Sequence, residues 1–233
     1  MAASTRKPKA LSVVMLGATG AVGNHVALTL AGLPDRQRLR RLTLLGRRPA
    51  ANVRGVSVAQ VPIDIFDQAT YEPALAGHDV AVCTLGVGQP SQMSRAEFLK
   101  IDRDAVLAFA AACQRQGVRH FELLSSVGAQ AASPSFYLRT KGQLEDRLKA
   151  LGFERLSLFQ PSMILTPTNR YGLLQAITLA VTPVINPVLC GPARKFRGIA
   201  VETLGRAMAL NVVKPGEGLE TLQWAEFMGL VGS

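Results

Sequence analysis

Tyr137 and Lys141 are the residues whose types and spacing most directly suggest chemistry. They lie four positions apart in the segment YLRTK, so a helix would place them one turn apart on the same face. A phenol with a pKa of about 10 is a weak base at neutral pH, but a nearby positive charge favours its ionised form. The spacing therefore predicts an acid/base pair in which Tyr137 exchanges a proton and Lys141 supplies the charge.

Two adjacent serines, Ser125 and Ser126, precede this pair and follow a short apolar run over residues 120–124. Ligands of open α/β sheets bind at the carboxyl ends of the strands, which is where this run would deliver the serines. A serine hydroxyl there can hold and polarise a carbonyl oxygen during hydride transfer. Each pattern is weak alone, since a Tyr-x-x-x-Lys spacing and a serine pair are both common by chance. Their combination favours an oxidoreductase site.

The segment GATGAVG, residues 17–23, follows the first apolar run and opens an amphipathic segment. Glycine permits a tight turn and close approach of the backbone to a pyrophosphate, and the following helix start offers free N–H groups. The segment therefore predicts a dinucleotide-binding turn, the alternative being an ordinary glycine-rich turn. The predicted cofactor contacts in this turn are Gly17, Thr19, Gly20, Ala21, Val22 and Gly23.

The second apolar run ends in LLGRRP, where a typical NAD site carries an acid that binds the ribose 2′-hydroxyl. Arg47 and Arg48 stand there instead, and planar guanidinium groups suit a 2′-phosphate. The sequence thus favours NADP(H) over NAD, although two arginines could also simply solvate a loop. Asp64, just beyond the third run, could bind the adenine amino group or cap the next helix.

Short apolar runs alternate with longer helical patterns along the chain, and this alternation is typical of βαβ units. The predicted strands are residues 11–16, 41–45, 56–61, 79–85, 120–124 and 156–160, and the predicted helices are 22–33, 96–115 and 142–151. The pattern predicts an α/β fold with a doubly wound, mostly parallel sheet. We expect a flexible tail over residues 1–10 and a single domain over 11–233, with 161–233 contributing the part that covers the substrate.

Composition agrees with one globular domain: 233 residues, 48% apolar and 18% charged. The three cysteines are widely spaced and the three histidines are scattered, so the sequence predicts neither a disulfide framework nor a metal site. No export signal is evident at the N-terminus. Together these features predict a reducing, cytoplasmic location.

The net charge of +10 is concentrated in residues 1–54, which hold ten Lys or Arg and one acid. Nucleic-acid binding is the obvious alternative for such a chain, but aromatic content is only 6% and no aromatic residues interleave the arginines. The basic excess also coincides with the predicted 2′-phosphate site. We therefore expect a small-molecule substrate and no nucleic-acid partner.

A charge-free stretch covers residues 171–193 and is interrupted by prolines. We favour a lid packed over the active site, which suggests an apolar substrate. The alternative is contact with a membrane surface, because basic residues flank the stretch. The sequence leaves the oligomeric state open.

Taken together, GATGAVG, LGRR, SSVGA and YLRTK resemble the short-chain dehydrogenase/reductase superfamily, over about residues 11–210. The likeness is greatest to its atypical branch, which contains the Tat-interacting-protein oxidoreductases and small epimerase-like proteins. The resemblance implies a Rossmann fold, NADPH binding, Tyr137 as acid/base, Lys141 as its partner and ribose ligand, and Ser126, with Ser125 as the alternative, as the hydroxyl that orients the substrate.

Two shorter matches support the same resemblance. CTLG, residues 83–86, resembles the family segment that lines the cofactor and implies contacts from Leu85 and Gly86, while QPSMIL implies Pro161 near the nicotinamide. No clear counterpart of the additional catalytic Asn of typical members is evident. The sequence thus predicts an NADPH-dependent carbonyl reductase or alcohol dehydrogenase. The alternative is an NADPH-binding regulatory module with little turnover.

Overall fold

A computed structural model describes residues 10–33, 39–55, 57–87, 93–166 and 189–232. Seven strands form one parallel sheet, and two further short strands pair with each other. The strands are β1 (Leu11–Leu16), β2 (Leu39–Gly46), β3 (Val58–Pro62), β4 (Val80–Cys83), β5 (His120–Leu124), β6 (Arg155–Phe159), β7 (Ile164–Leu165), β8 (Ile199–Ala200) and β9 (Gly218–Leu222).

The order across the large sheet is β3-β2-β1-β4-β5-β6-β9. The chain therefore runs outward from β1 to β3, crosses over to β4 beside β1, and then runs outward again. In such sheets ligands bind where the order reverses, at the carboxyl ends of the strands. The predicted Rossmann-type α/β fold is confirmed, and the reversal between β1 and β4 marks the edge where the site residues should meet.

Helices cover both faces of the sheet, so the strands are buried on both sides and need near-continuous apolar sequence. One face packs against α1 (Ala21–Ala31), α5 (Val201–Val213) and α6 (Trp224–Gly232). The other face packs against α3 (Val106–Arg115) and α4 (Phe136–Ala150). The five-residue α2 (Arg95–Leu99) continues into α3 through one π-helical turn, Lys100–Ala105. The described residues also include three 3₁₀ segments, Gln68–Thr70, Glu72–Leu75 and Gly191–Phe196.

The predicted strands agree with the structure apart from their ends, and β1 and β5 coincide with the predicted runs. The fourth strand, Val80–Cys83, is shorter than predicted, and the hydroxyl of Thr84 just beyond it donates to the Gly17 carbonyl at 3.2 Å. Helix α4 starts six residues earlier than predicted, since the Ser135 hydroxyl caps it by accepting from the Leu138 N–H. The sequence prediction missed β9, which adds a seventh strand beside β6.

The C-terminal part builds more of the sheet layers than the sequence predicted. Besides β9, it supplies α5, which packs on α1, and α6, whose Phe227 stacks on Phe159 with ring centroids 5.6 Å apart. The predicted lid over residues 171–193 falls mostly outside the described residues, which resume at Leu189. Within the described ranges, no helix is long and apolar enough to cross a membrane.

Candidate functional site

The glycine turn closes against the segment that follows β4. Gly17 has φ +97°, a left-handed conformation that side chains rarely adopt, and a Cβ there would lie 2.7 Å from both the Leu85 nitrogen and the Thr84 Oγ1. A Cβ on Gly23 would overlap the Gly17 carbonyl. Glycine is thus required at these two positions for the turn to form, as the predicted spacing indicated.

Helix α1 begins directly after this turn with Gly20 at its N-cap. No side chain among the described residues caps the helix. Its first N–H groups, those of Ala21, Val22 and Gly23, therefore remain available for an anion. The exposed Thr19 lies at the same place. An uncapped helix start beside a glycine turn has the donors that a pyrophosphate requires.

A cavity of about 260 Å³ lies between the glycine turn and the carboxyl ends of β2 and β3. Its wall includes a loop that Gln60 fixes: the side-chain oxygen accepts from the Ala50 N–H at 2.7 Å, and the side-chain nitrogen donates to the Val53 carbonyl at 3.1 Å. The cavity is lined by Ala18, Thr19, Leu44, Leu45, Gly46, Arg48, Pro49, Ala50, Gln60, Val61 and Pro62. Its position and size suit one end of a dinucleotide.

Arg47 and Arg48 are exposed in this loop, and neither guanidinium group makes a hydrogen bond or ion pair to any other described residue. Other arginines of the basic N-terminal region lie elsewhere. Arg40 donates to the Ser12 hydroxyl and Arg41 to the Ala76 carbonyl, at the opposite end of β2. The basic residues of this region thus divide between two ends of the sheet, while Arg36 and Arg38 fall outside the described residues.

Asp64 follows β3 and is exposed. Its Oδ1 accepts from the Phe66 N–H at 2.9 Å, so one carboxylate oxygen closes a local turn. The next helical segment, Gln68–Thr70, is capped by Asp67, whose side chain accepts from the Ala69 N–H, so Asp64 is not its cap. Contact between Asp64 and adenine stays a prediction.

Tyr137 and Lys141 lie in the first two turns of α4, as the spacing predicts. The Lys141 ammonium nitrogen lies 5.9 Å from the centroid of the Tyr137 ring. The tyrosine ring also contacts Phe98, with centroids 5.9 Å apart. Tyr137 is half-buried and Lys141 is buried, so α4 presents the pair at the carboxyl edge of the sheet.

Sequence analysis missed Asp102, whose carboxylate forms an ion pair with Lys141 at 2.8 Å. Burial alone would lower the pKa of Lys141, but the Asp102 carboxylate and the Tyr137 phenol together raise it above its ordinary value. Lys141 is therefore charged, yet its charge is balanced, which the sequence argument did not anticipate. One signal was present: Asp102 interrupts an apolar helical spacing formed by Phe98, Val106 and Phe109.

Gly86 lies between the glycine turn and the ion pair of Lys141 and Asp102. A Cβ on Gly86 would lie 3.6 Å from the Lys141 nitrogen, whereas the neighbouring Thr84 and Leu85 contact Gly17. Residues 84–87 thus lie between the phosphate-binding turn and the lysine. The structure brings these predicted cofactor residues into one continuous edge.

The two serines have different surroundings. Ser125 is buried, and its hydroxyl donates to the Glu145 carboxylate at 2.5 Å. Burial raises the pKa of Glu145, although hydrogen bonds from Ser125 and Gln160 partly oppose this. Ser126 is partly exposed, and its hydroxyl has only a 3.5 Å contact with the Val127 carbonyl. Ser126 is therefore the serine whose hydroxyl can reach a ligand.

Pro161 lies beside Ser126 because the ends of β5 and β6 are joined. The Ser125 N–H donates to the Phe159 carbonyl at 2.7 Å, and the Val127 N–H donates to the Pro161 carbonyl at 2.9 Å. These bonds continue the strand pairing beyond β5. Pro161 is buried next to the predicted catalytic segment.

A larger cavity, about 1070 Å³, lies at the amino ends of β1, β4, β5 and β6, where Leu11, Asp79, His120 and Arg155 line it. It is distant from the glycine turn and from Lys141. Parallel α/β sheets bind ligands at the opposite, carboxyl edge. We therefore assign the functional site to the smaller cavity and the residues that adjoin it.

Comparison with known proteins identifies the family of this chain. A family model described as NAD(P)H-binding matches residues 17–174. The chain is 32% identical to Protein HTATIP2 of Rattus norvegicus over 220 residues, covering 89% of this chain and 83% of the relative. It is 30% identical to the mitochondrial protein fmp52 of Emericella nidulans over 157 residues, covering 66% of each.

Solved structures share the fold at low identity. One is MoeE5 in complex with UDP-glucuronic acid and NAD, with TM-score 0.69 and 18% identity, over 91% of this chain and 75% of that one. Another is a putative NAD-dependent epimerase/dehydratase from Bacillus halodurans, with TM-score 0.66 and 17% identity, over 91% and 92%. These structures support the Rossmann-type fold.

One expectation is overturned by the relatives. The sequence predicted a cytoplasmic location, but the aligned proteins from Emericella nidulans, Candida albicans and Meyerozyma guilliermondii are named as mitochondrial. The prediction is therefore wrong. It rested on the cysteine pattern, which reports a reducing environment and does not distinguish one reducing compartment from another.

Proposed function

Because the chain belongs to the NAD(P)H-binding family and, with the HTATIP2-like proteins, to the atypical branch of the short-chain dehydrogenases/reductases, we propose that it is an NADPH-dependent oxidoreductase of the carbonyl reductase or alcohol dehydrogenase type. One observation carries the proposal: residues 84–87 lie between the glycine turn predicted to bind the phosphates and Lys141. A dinucleotide bound along this edge would extend from the 260 Å³ cavity towards Tyr137.

The glycine turn fits a dinucleotide, since side chains are excluded at Gly17 and Gly23 and the first N–H groups of α1 are uncapped. When bound, NADPH supplies a hydride for the substrate carbon. Tyr137 then donates its phenolic proton to the carbonyl oxygen, and the Ser126 hydroxyl holds that oxygen by a hydrogen bond. Lys141 holds the cofactor ribose and orients Tyr137. In the reverse direction Tyr137 accepts the proton from an alcohol.

The preference for NADPH over NADH rests on Arg47 and Arg48. Both guanidinium groups are exposed beside the cavity and uncommitted within the described residues, so a 2′-phosphate can pair with them without breaking existing contacts. Arg47→Ala and Arg48→Ala should each weaken NADPH binding about tenfold, with little effect on NADH, as measured by calorimetry. Arg54→Ala is the matched control in the same loop. Equal loss for both cofactors would contradict the assignment.

The enzymatic proposal is tested by NADPH oxidation with a panel of aldehydes and ketones, including apolar and aromatic ones. Tyr137→Phe should lower turnover by a factor of about 100 or more because the proton donor is lost. Tyr71→Phe is the control, since Tyr71 is buried outside this site and its hydroxyl has no hydrogen-bond partner among the described residues. NADPH binding without turnover in the wild type would instead support a regulatory, cofactor-binding module.

A further inference from the structure

The acidic partner of Lys141 comes from an unusual helical turn. Lys100–Ala105 is the one π-helical turn among the described helices, and it interrupts an otherwise α-helical segment from Arg95 to Arg115. Single π turns within α-helices occur frequently at functional sites. Asp102 lies in this turn and is 1% exposed. The irregular turn therefore carries a fully buried carboxylate.

That carboxylate joins three segments of the chain. Its Oδ1 pairs with the Lys141 nitrogen at 2.8 Å, and its Oδ2 accepts from the Val87 N–H at 2.8 Å. A Cβ on Gly86 would lie 3.2 Å from Oδ1, a tight contact, so the pair packs closely against this glycine. Asp102 thus fixes α4 and the segment after β4 relative to each other. Lys141 has no freedom to point elsewhere while this pair holds.

The pair has no net charge. Both side chains are buried, Asp102 at 1% and Lys141 at 4% exposed side chain, so water does little to screen them. An isolated ammonium 5.9 Å from the Tyr137 ring would strongly favour the phenolate. A carboxylate 2.8 Å from that ammonium opposes the effect. The phenol therefore experiences the field of a dipole in place of that of a full positive charge.

We propose that Asp102 is a positioning residue that holds the Lys141 ammonium in place and balances its charge, so that Tyr137 is kept as a phenol able to donate a proton. The inference rests on the proposed function and adds a preferred protonation state to it. Reduction of a carbonyl needs the phenol, whereas oxidation of an alcohol needs the phenolate. Asp102 therefore sets the pH range in which each direction is fast, without altering the overall equilibrium.

Other ionisable groups lie near the pair, but they do not take over the role of Asp102 in balancing the charge of Lys141. Cys83 on β4 is buried, which raises the pKa of its thiol to about 12 and keeps it neutral. Arg95 on α2 and Arg139 on α4 lie over the Phe136 ring, at 5.1 and 6.0 Å from its centroid. Both arginines stay charged over the pH range of interest. Their contribution is the same in every variant proposed below and cancels in the comparison.

The test is a tyrosinate absorbance titration of the full chain without cofactor or substrate. Subtracting the titration of the matching Tyr137→Phe variant isolates the signal of Tyr137. Asp102→Asn keeps the side-chain size but removes the negative charge, so the midpoint of the Tyr137 signal should fall by at least one pH unit, a tenfold change in the phenolate-to-phenol ratio. Lys141→Met should move the midpoint upwards.

The double variant Asp102→Asn/Lys141→Met gives the sharpest outcome. With both charges absent, its midpoint should return to within about half a pH unit of the wild-type value. Replacing both members of a buried ion pair is tolerated better than removing one, so this variant tests the proposal even where a single variant does not fold. A double-variant midpoint more than one pH unit above wild type would overturn the proposal, because it would show that Lys141 acts on Tyr137 as an uncompensated charge.

Asp104→Asn is the matched control. Asp104 lies in the same π turn but is 49% exposed and pairs with Arg103 on the surface, so its removal should leave the midpoint unchanged. An Asp102→Asn midpoint equal to that of Asp104→Asn would also overturn the proposal. The titration needs no turnover, so failure of the charge balance and failure of the proposed reductase activity are distinguishable. In the activity assay, Asp102→Asn should shift the alkaline loss of reduction to lower pH, whereas a merely structural defect lowers the rate at every pH.

Discussion

Two buried polar clusters of this chain accommodate charge in different ways. At the carboxyl edge of the sheet, Lys141 and Asp102 form one ion pair at 2.8 Å beside the predicted cofactor site. The second cluster, here called the interior cluster, lies between β5, β6, β9 and α5, away from that edge. Its members are His120, Glu122, Arg155, Ser157, Asn211 and Glu220.

The interior cluster is a hydrogen-bonded network in which Arg155 is the main donor. Arg155 donates to Glu220 at 2.6 Å, to the Asn211 side-chain oxygen at 2.8 Å, and to the Lys214 carbonyl. The hydroxyl of Ser157 also donates to Glu220, at 2.6 Å. These bonds join α5 and β9 to β6. Their geometry attaches the C-terminal elements to the sheet.

The two clusters also differ in the surroundings of a buried carboxyl group, which is Glu122 in the interior cluster and Asp102 at the candidate site. One oxygen of Glu122 is buried without a hydrogen-bond partner among the described residues, and burial raises the pKa of Glu122 to about 8. Burial also lowers the pKa of His120, to about 3. Both groups are thus neutral near pH 7, whereas Lys141 and Asp102 form an ion pair. The interior cluster thus combines the Arg155–Glu220 ion pair with two groups that burial keeps neutral, whereas the cluster at the candidate site consists of one ion pair.

The largest effect is expected from breaking the interior cluster at its main donor. Arg155→Met removes the cation paired with Glu220 and the donor to the Lys214 carbonyl, so the free energy of unfolding should fall by about 3 kcal/mol. Chemical denaturation measures this. Arg119→Met is the control, because Arg119 is 53% exposed and its surface pairs contribute less than about 1 kcal/mol. Similar losses in both variants would remove the distinction between the interior cluster and the surface.

A smaller effect is expected from removing the buried carboxyl group. The folded chain holds a proton on Glu122 up to about pH 8, whereas the unfolded chain releases it near pH 4.5. This contribution to stability is therefore fully present below pH 4.5 and is lost as pH rises to about 8. His120 has the opposite slope, but only below its ordinary pKa of 6.5. Between pH 6.5 and 8 the free energy of unfolding should fall by up to about 2 kcal/mol because of Glu122.

Glu122→Gln should remove this dependence, so that its unfolding free energy between pH 6.5 and 8 stays nearly constant. Denaturation at several pH values compares the two proteins directly. Glu154→Gln provides the control, since Glu154 is 67% exposed and should leave the slope unchanged. If the wild type and Glu122→Gln showed equal slopes, Glu122 would be ionised in the folded chain, and the contrast between this neutral carboxyl group and the ion-paired carboxylates would fail.

Most of the fold was predictable because its determinants are local. Apolar runs such as 11–16 and 120–124 are buried on both faces, and the glycine turn must follow the first strand. Strand β9 was not predictable in this way. It lies at the sheet edge beside β6 alone, and only Leu222 of its five residues is buried, so its sequence lacks a core-strand pattern.

Those parts of the candidate site that consist of residues close in sequence could be predicted. Those that form where residues distant in sequence meet could not. Tyr137 and Lys141 share one helix, so their spacing alone places them together. Asp102 is 39 positions from Lys141 and reaches it from a π-helical turn, which the usual helical periodicity does not anticipate. The choice between Ser125 and Ser126 likewise depended on the Glu145 carboxylate, which belongs to another element.

The smallest expected effect concerns the different roles of the two serines. We assign Ser125 to the packed interior and Ser126 to the candidate site. Ser125→Ala removes the 2.5 Å hydrogen bond to Glu145, so the free energy of unfolding should fall by about 1 kcal/mol. Gln160 continues to donate to both carboxylate oxygens at 3.0 and 3.1 Å, which limits the loss. Ser126→Ala should show the opposite pattern, with nearly unchanged stability and a reduced kcat/KM. Thermal unfolding and NADPH oxidation measured on the same preparations separate the two roles. If Ser125→Ala lost activity while keeping its stability, Ser125 would belong to the site, and the assignment of different roles to the two serines would be wrong.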